Sequence, residues 1–172
     1  MIVPRLDSDG KFPEIYGKVQ PCATLTYTAG NQTSGGTTSA NLILFDTEVT
    51  KQRILHDNVT DSSRVQVIDG GLYEFRISVL VNPTASSSEF DLWLRKNGTN
   101  VANSCIHESM PKDGDQHISR TFILQLVADD YVEWVWCSRN DASLILETQA
   151  AGANPTTPVA PCAILTVSRV SL

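Results

Sequence analysis

Beyond Gly71 every odd position is apolar (Tyr73, Phe75, Ile77, Val79 and Val81), and from Tyr73 to Val79 the positions between are polar: Glu74, Arg76 and Ser78. A period of two is the mark of a strand that buries one face. The same rhythm runs through residues 22–28, 89–96, 116–127, 131–137 and 162–170. Shorter apolar runs at 41–49, 53–56, 64–68, 101–110 and 142–147 predict further strands. Turn signals separate them: Gly70-Gly71, Asn82-Pro83, Asp129-Asp130 and, strongest for a hairpin, Asn97-Gly98. Residues 29–40 and 150–161, rich in Gly, Ser, Thr, Ala and Pro, read as loops. No run has a helical period of useful length. Eight to ten short strands predict an all-β sandwich or jelly roll at residues 22–172.

Residues 1–21 predict an N-terminal arm. Ile2, Val3 and Leu6 are apolar, Asp7-Ser8-Asp9-Gly10-Lys11 is a turn, and Phe12-Pro13 is a second break before Tyr16. Such an arm either straps across its own domain or clasps a neighbour.

Composition narrows the function classes. At 172 residues the chain suits one domain that needs no metal or disulfide to hold it. A net charge of −6 disfavours nucleic acid or an anionic membrane as partner. No apolar run reaches the length of a membrane-spanning helix, and the N-terminus does not read as a signal peptide. The triplets at Asn31, Asn58 and Asn97 that match glycosylation acceptors therefore carry little weight. Cys22, Cys105, Cys137 and Cys162 are far apart and without zinc-type spacing; free, mostly buried thiols and a disulfide both stay open.

Candidate chemistry is sparse. His56, His107 and His117 have Ser109 and Asp115 nearby in sequence, but no nucleophile elbow activates a serine. Asp113/Asp115 and Asp129/Asp130 sit at turns, where Asp caps local backbone N–H groups. The expectation is no catalytic residue, no cofactor and no metal site.

Four stretches together carry a resemblance: Gly71-Leu72-Tyr73-Glu74-Phe75; Phe90-Asp91-Leu92-Trp93-Leu94-Arg95-Lys96-Asn97-Gly98-Thr99; Asp130-Tyr131-Val132-Glu133-Trp134; and Pro161-Cys162-Ala163-Ile164-Leu165-Thr166-Val167. With these, the chain resembles the tumour-necrosis-factor-like jelly roll of the complement globular heads, in the version found in tailed-bacteriophage virion proteins. The resemblance implies a ten-strand jelly-roll sandwich that forms a homotrimer through its inner sheet, and a role in binding or scaffolding. The resemblance leaves calcium between loop carboxylates open, although this chain has no EF-hand-like spacing. The resemblance also implies that the strands at 72–81 and 131–137 are neighbours in the inner sheet. Tyr73, Phe75, Ile77, Trp134 and Trp136 would then fill the core. Glu74, Arg76, Tyr131, Glu133 and Val135 would face the trimer interface, with Arg76 and Glu133 paired. Trp93 is expected to point outward beside Asp91 and Arg95, either half-covered by a loop or as an outer contact for another virion protein.

The function that follows is a capsid decoration (cement) protein on the outer surface of a phage virion, assembled in the host cytoplasm. Its partners would be itself and the major capsid protein, with Ile2, Val3, Leu6, Phe12 and Tyr16 anchoring the arm to the capsid. A start at Met1 with only a short arm favours this over a fibre, which carries a long shaft. The alternative is the receptor-binding head of a tail fibre or tailspike, whose tip loops would take a host surface glycan or protein.

Overall fold

The computed structural model describes residues 20–84, 87–112, 114–140 and 142–171. The arm residues Ile2, Val3, Leu6, Phe12 and Tyr16 lie outside the described residues, as does Asp113. In chain order the strands are β1 (Cys22–Tyr27), β2 (Gln32–Thr33), β3 (Asn41–Leu42), β4 (Thr47–Gln52), β5 (Ile54–Asp57), β6 (Asp61–Val67) and β7 (Gly71–Pro83). They continue with β8 (Ser88–Lys96), β9 (Thr99–Asn100), β10 (Ile106–Met110), β11 (Gln116–Leu126), β12 (Tyr131–Ser138), β13 (Leu144–Leu146) and β14 (Ala163–Ser171). No helix occurs among the described residues.

Two antiparallel sheets face each other. The first runs β4-β1-β14-β7-β11, with β13 and β2 extending it beyond the end of β14. The second runs β10-β8-β12-β6-β5, with β9 beside β8 and β3 beside β12. Alternation delivers the core between them. Tyr73, Phe75, Ile77, Val79 and Val81 point inward from β7, Phe90, Leu92 and Leu94 from β8, and Val132, Trp134 and Trp136 from β12. Each is 1% exposed or less. Phe122 of β11 reaches across to Trp134, with ring centroids 5.7 Å apart, and so closes one open side of the sandwich. The Asn97-Gly98 turn has positive φ at both residues (50° and 77°), the type I′ geometry that matches strand twist, and it pairs Arg95 with Asn100.

Three local expectations are corrected. Residues 41–49 are not one strand. β3 belongs to the second sheet and β4 to the first, and the chain crosses between them with Ile43 and Phe45 fully buried. Gln32 holds that crossing: its Nε2 donates to the Leu44 carbonyl (3.0 Å) and its Oε1 accepts from the Leu44 N–H (2.9 Å). Residues 101–110 are likewise interrupted, because Ser104 turns inward, accepts a hydrogen bond from the Leu94 N–H and donates to the Val101 carbonyl. Finally, neither Gly70 nor Gly71 takes a positive φ. A Cβ at Gly71 would instead collide with the Arg169 guanidinium, which donates to the Gly70 carbonyl.

Candidate binding surfaces

Each sheet turns one face to the core and one to solvent, so the molecule offers two broad surfaces. On the first sheet the register sets the solvent-side residues in rows: Ile123–Glu74–Ser168–Cys22, Thr121–Arg76–Thr166–Thr24 and Ser119–Ser78–Ile164–Thr26. In these rows only Glu74 and Arg76 are charged, and Arg76 donates to Glu74 at 3.2 Å, so this part of the face is formally neutral; at its far end Glu147 accepts from the Asn82 amide at 2.9 Å. Ile123 and Ile164 remain 55% and 38% exposed amid threonines and serines. At its β11 edge Phe122 and Leu124 are only partly covered. An uncharged, β-branched sheet face with a half-open apolar edge is a surface suited to burial against another one.

The second sheet is built differently. Its solvent side carries carboxylates that are themselves buried, each held by a cation whose own side chain is partly in water. Asp91 on β8 accepts from Arg139 Nε (2.6 Å) and His107 Nδ1 (2.8 Å). Glu133 on β12 accepts from Arg64 Nε (3.2 Å) and the Ser63 hydroxyl (3.3 Å). Asp130, at the turn into β12, takes Lys96 Nζ at 2.6 Å and the Asn97 amide at 2.6 Å. Burial alone would push Asp91 and Asp130 up; the hydrogen bonds from Arg139 and His107, and from Lys96, Val127 N–H and Asn97, outweigh it and hold both below the ordinary carboxylate range.

The five residues expected at one trimer interface are divided between these surfaces. β7 and β12 lie in opposite sheets, so Glu74 and Arg76 face one way and Tyr131, Glu133 and Val135 the other. Arg76 pairs with Glu74 and Glu133 with Arg64, not with each other. Tyr131 lies under the Arg64 guanidinium, 4.7 Å from the ring centroid, and Val135 is already fully buried. The reason is physical: alternation says which side chains turn inward, and both strands alternate identically, but it does not say which sheet a strand joins.

Trp93 points outward as expected and is half-buried, its indole N–H donating to Asn100 Oδ1 at 2.9 Å. Arg95 Nε donates to the same oxygen at 3.0 Å. Beside them is a pocket of about 300 Å³ lined by Asp91, Trp93, Asn100, Val101, Asn103, Cys105 and Cys137. Neither asparagine stood out in the sequence. The signal was the hairpin turn, whose register places Asn100 opposite Arg95.

No disulfide joins the four cysteines; Cys137 and Cys162 are buried, and Cys105 is exposed. Burial, with Asp91 adding to it, pushes the Cys137 thiol up to about 11 and raises Cys105 as well. The His107–Asp91 pair therefore stands beside protonated thiols, and no serine hydroxyl bonds His107 among the described residues. His56 is buried instead, bridging Glu48 (3.1 Å) and the Ser62 carbonyl (3.2 Å). Among the described residues no group of His, Cys, Asp and Glu side chains is arranged to hold a metal ion.

No family model matches this chain, and no curated protein does. Among solved structures it is similar to the globular domain of zebrafish complement 1qA protein, with a TM-score of 0.56 and 11% identity, over 87% of this chain and 97% of that one. At that identity the likeness is one of fold: two antiparallel sheets in the jelly-roll arrangement of the complement and tumour-necrosis-factor heads.

Proposed function

We propose that this chain is a homotrimeric attachment module, and that it serves as a capsid decoration protein bound to the major capsid protein of a tailed-phage virion. The observation that carries the association is the solvent face of the first sheet, where the rows through Glu74, Arg76 and Ser78 are formally neutral and carry the exposed Ile123 and Ile164. Burying such a face removes apolar surface from water without stranding an unpaired charge. This reading keeps Glu74 and Arg76 at the seam and moves Tyr131, Glu133 and Val135 away from it. The phage setting rests on the sequence resemblance, and the arm is its proposed anchor to the shell.

The second reading is a receptor-binding head of a tail fibre or tailspike, favoured by the outward pocket at Trp93. One experiment separates them. Decoration requires a copy number on the scale of the major capsid protein and binding of the purified protein to heads that lack it. Binding to host cells with no affinity for such heads would reverse the order.

A further inference from the structure

One end of the sandwich carries apolar side chains that neither the core nor the proposed seam uses. Ile68 follows β6 and Val127 follows β11, while Val170 sits on β14 in the bulge between Arg169, opposite Tyr73, and Ser171, opposite Leu72. They are 38%, 63% and 46% exposed. The backbone gathers them around the Gly70-Gly71 turn. A Cβ at Gly70 would lie 3.4 Å from the Val127 Cα, and beside it the Asp129 N–H donates to the Val67 carbonyl at 2.9 Å. Leu126 lies opposite Gly71 on one side of β7 and Ser171 opposite Leu72 on the other, so Val127 and Val170 are separated by two strand spacings, about 10 Å.

The chain enters the domain at this same end, where the Arg169 N–H donates to the Pro21 carbonyl at 3.0 Å, one residue from Val170. The segment before Pro21 therefore starts beside the patch, and its large apolar residues include Phe12, Ile15 and Tyr16. Tyr16 precedes Pro21 by five residues and Phe12 by nine, which gives them reaches of at most about 17 and 30 Å, enough to cross the patch. Together the three side chains expose on the order of 250 Å², far below the ~800 Å² per partner that separate molecules bury in a stable complex. A tethered segment does not need that area, because its tether holds it at an effective concentration of order millimolar.

We propose that residues 12–16 of the arm dock on this end of their own domain, with Phe12 and Tyr16 laid over Ile68, Val127 and Val170. The strap then stops at the turn of residues 7–11, and Ile2, Val3 and Leu6 stay beyond it for a neighbour. Strap and clasp are thus two halves of one arm. The inference needs neither the trimer nor a virion.

The test is timed trypsin digestion of the full chain, followed by mass spectrometry. Cleavage after Lys11 needs residues 12–16 undocked, whereas cleavage after Arg5 lies beyond the strap and serves as the internal reference. In the wild-type protein Lys11 should be cut about tenfold more slowly than Arg5, at every protein concentration. Val127 and Val170 lie outside the core cluster, so a Val127→Asp/Val170→Asp protein should keep its fold, checked by circular dichroism, and lose that protection. Phe12→Ser with Tyr16→Ser should remove it from the other side. Equal cleavage at Lys11 and Arg5 in the wild type overturns the proposal, as does undiminished protection in the folded Val127→Asp/Val170→Asp protein. Protection that disappears on dilution also overturns it, because a second copy then covers the segment.

Discussion

Replacing Ile123 and Ile164 together with serine is the most direct trial of the proposed association. Both side chains lie outside the core cluster, and they are 55% and 38% exposed in the single chain. Complete burial of an isoleucine is worth roughly 1.5–3 kcal/mol, so covering the exposed fractions contributes about 2 kcal/mol per subunit. Over three subunits the loss is about 6 kcal/mol, or roughly four powers of ten in the association constant. The folded monomer should lose little, under about 1 kcal/mol per site, because exposed strand positions depend weakly on the side chain they carry. Sedimentation velocity over a dilution series reads the effect: wild-type protein should sediment as a trimer at concentrations where the double variant is a folded monomer. The reasoning is refuted by a wild-type chain that stays monomeric throughout, or by a variant whose trimer survives the same dilutions.

Two further outcomes follow from other parts of the structure. Asp91 and Asp130 are held below the ordinary carboxylate range, and Asp57, through bonds from the Thr60 hydroxyl and the Val59 and Thr60 N–H groups, is lowered from 3.8 to about 2. As pH falls the unfolded chain takes up protons first, so the stability these groups contribute is present above pH 3.8 and is lost below it, for Asp57 on the way down to about 2. Urea midpoints should hold steady well above that window and drop through it; a midpoint that rises on acidification contradicts the assignment. Separately, Gln32→Leu deletes both hydrogen bonds to the Leu44 backbone at a position 7% exposed. The cost should be roughly 2 kcal/mol or more in urea denaturation. Faster hydrogen exchange at Leu44 should accompany it, and unchanged stability with Leu44 still protected would show that the clamp is dispensable.

Much of the fold was legible along the chain because it is written in local patterns. The odd residues of β7 and the apolar positions of β8 and β12 declared the core. Asn97-Gly98 declared its hairpin, because only a narrow set of residues tolerates two successive left-handed positions. The sites were less legible. Trp93 could be oriented from its neighbours, but its pocket needs Asn100 and Asn103 from the returning chain and Cys137 from β12. Gln32 looked like one residue of a polar loop, yet it stands in for ladder hydrogen bonds where the backbone crosses between sheets. His107 was one of three unremarkable histidines until Asp91 came to lie opposite it.

Taken by itself, the order of residues determined that the chain forms one-faced strands, where most of them turn, and which side chains go inside. Those outcomes depend on each residue's own solvation and on steric preferences a few positions wide. Only the tertiary structure decided that β7 and β12 stand in opposite sheets, which sends Arg76 to a neutral face and Glu133 to Arg64. Strand partners are chosen through backbone N–H and C=O groups that are the same at nearly every residue, so side-chain alternation carries no mark of sheet membership. That choice is made when the whole set of strands packs and every buried backbone group finds a partner.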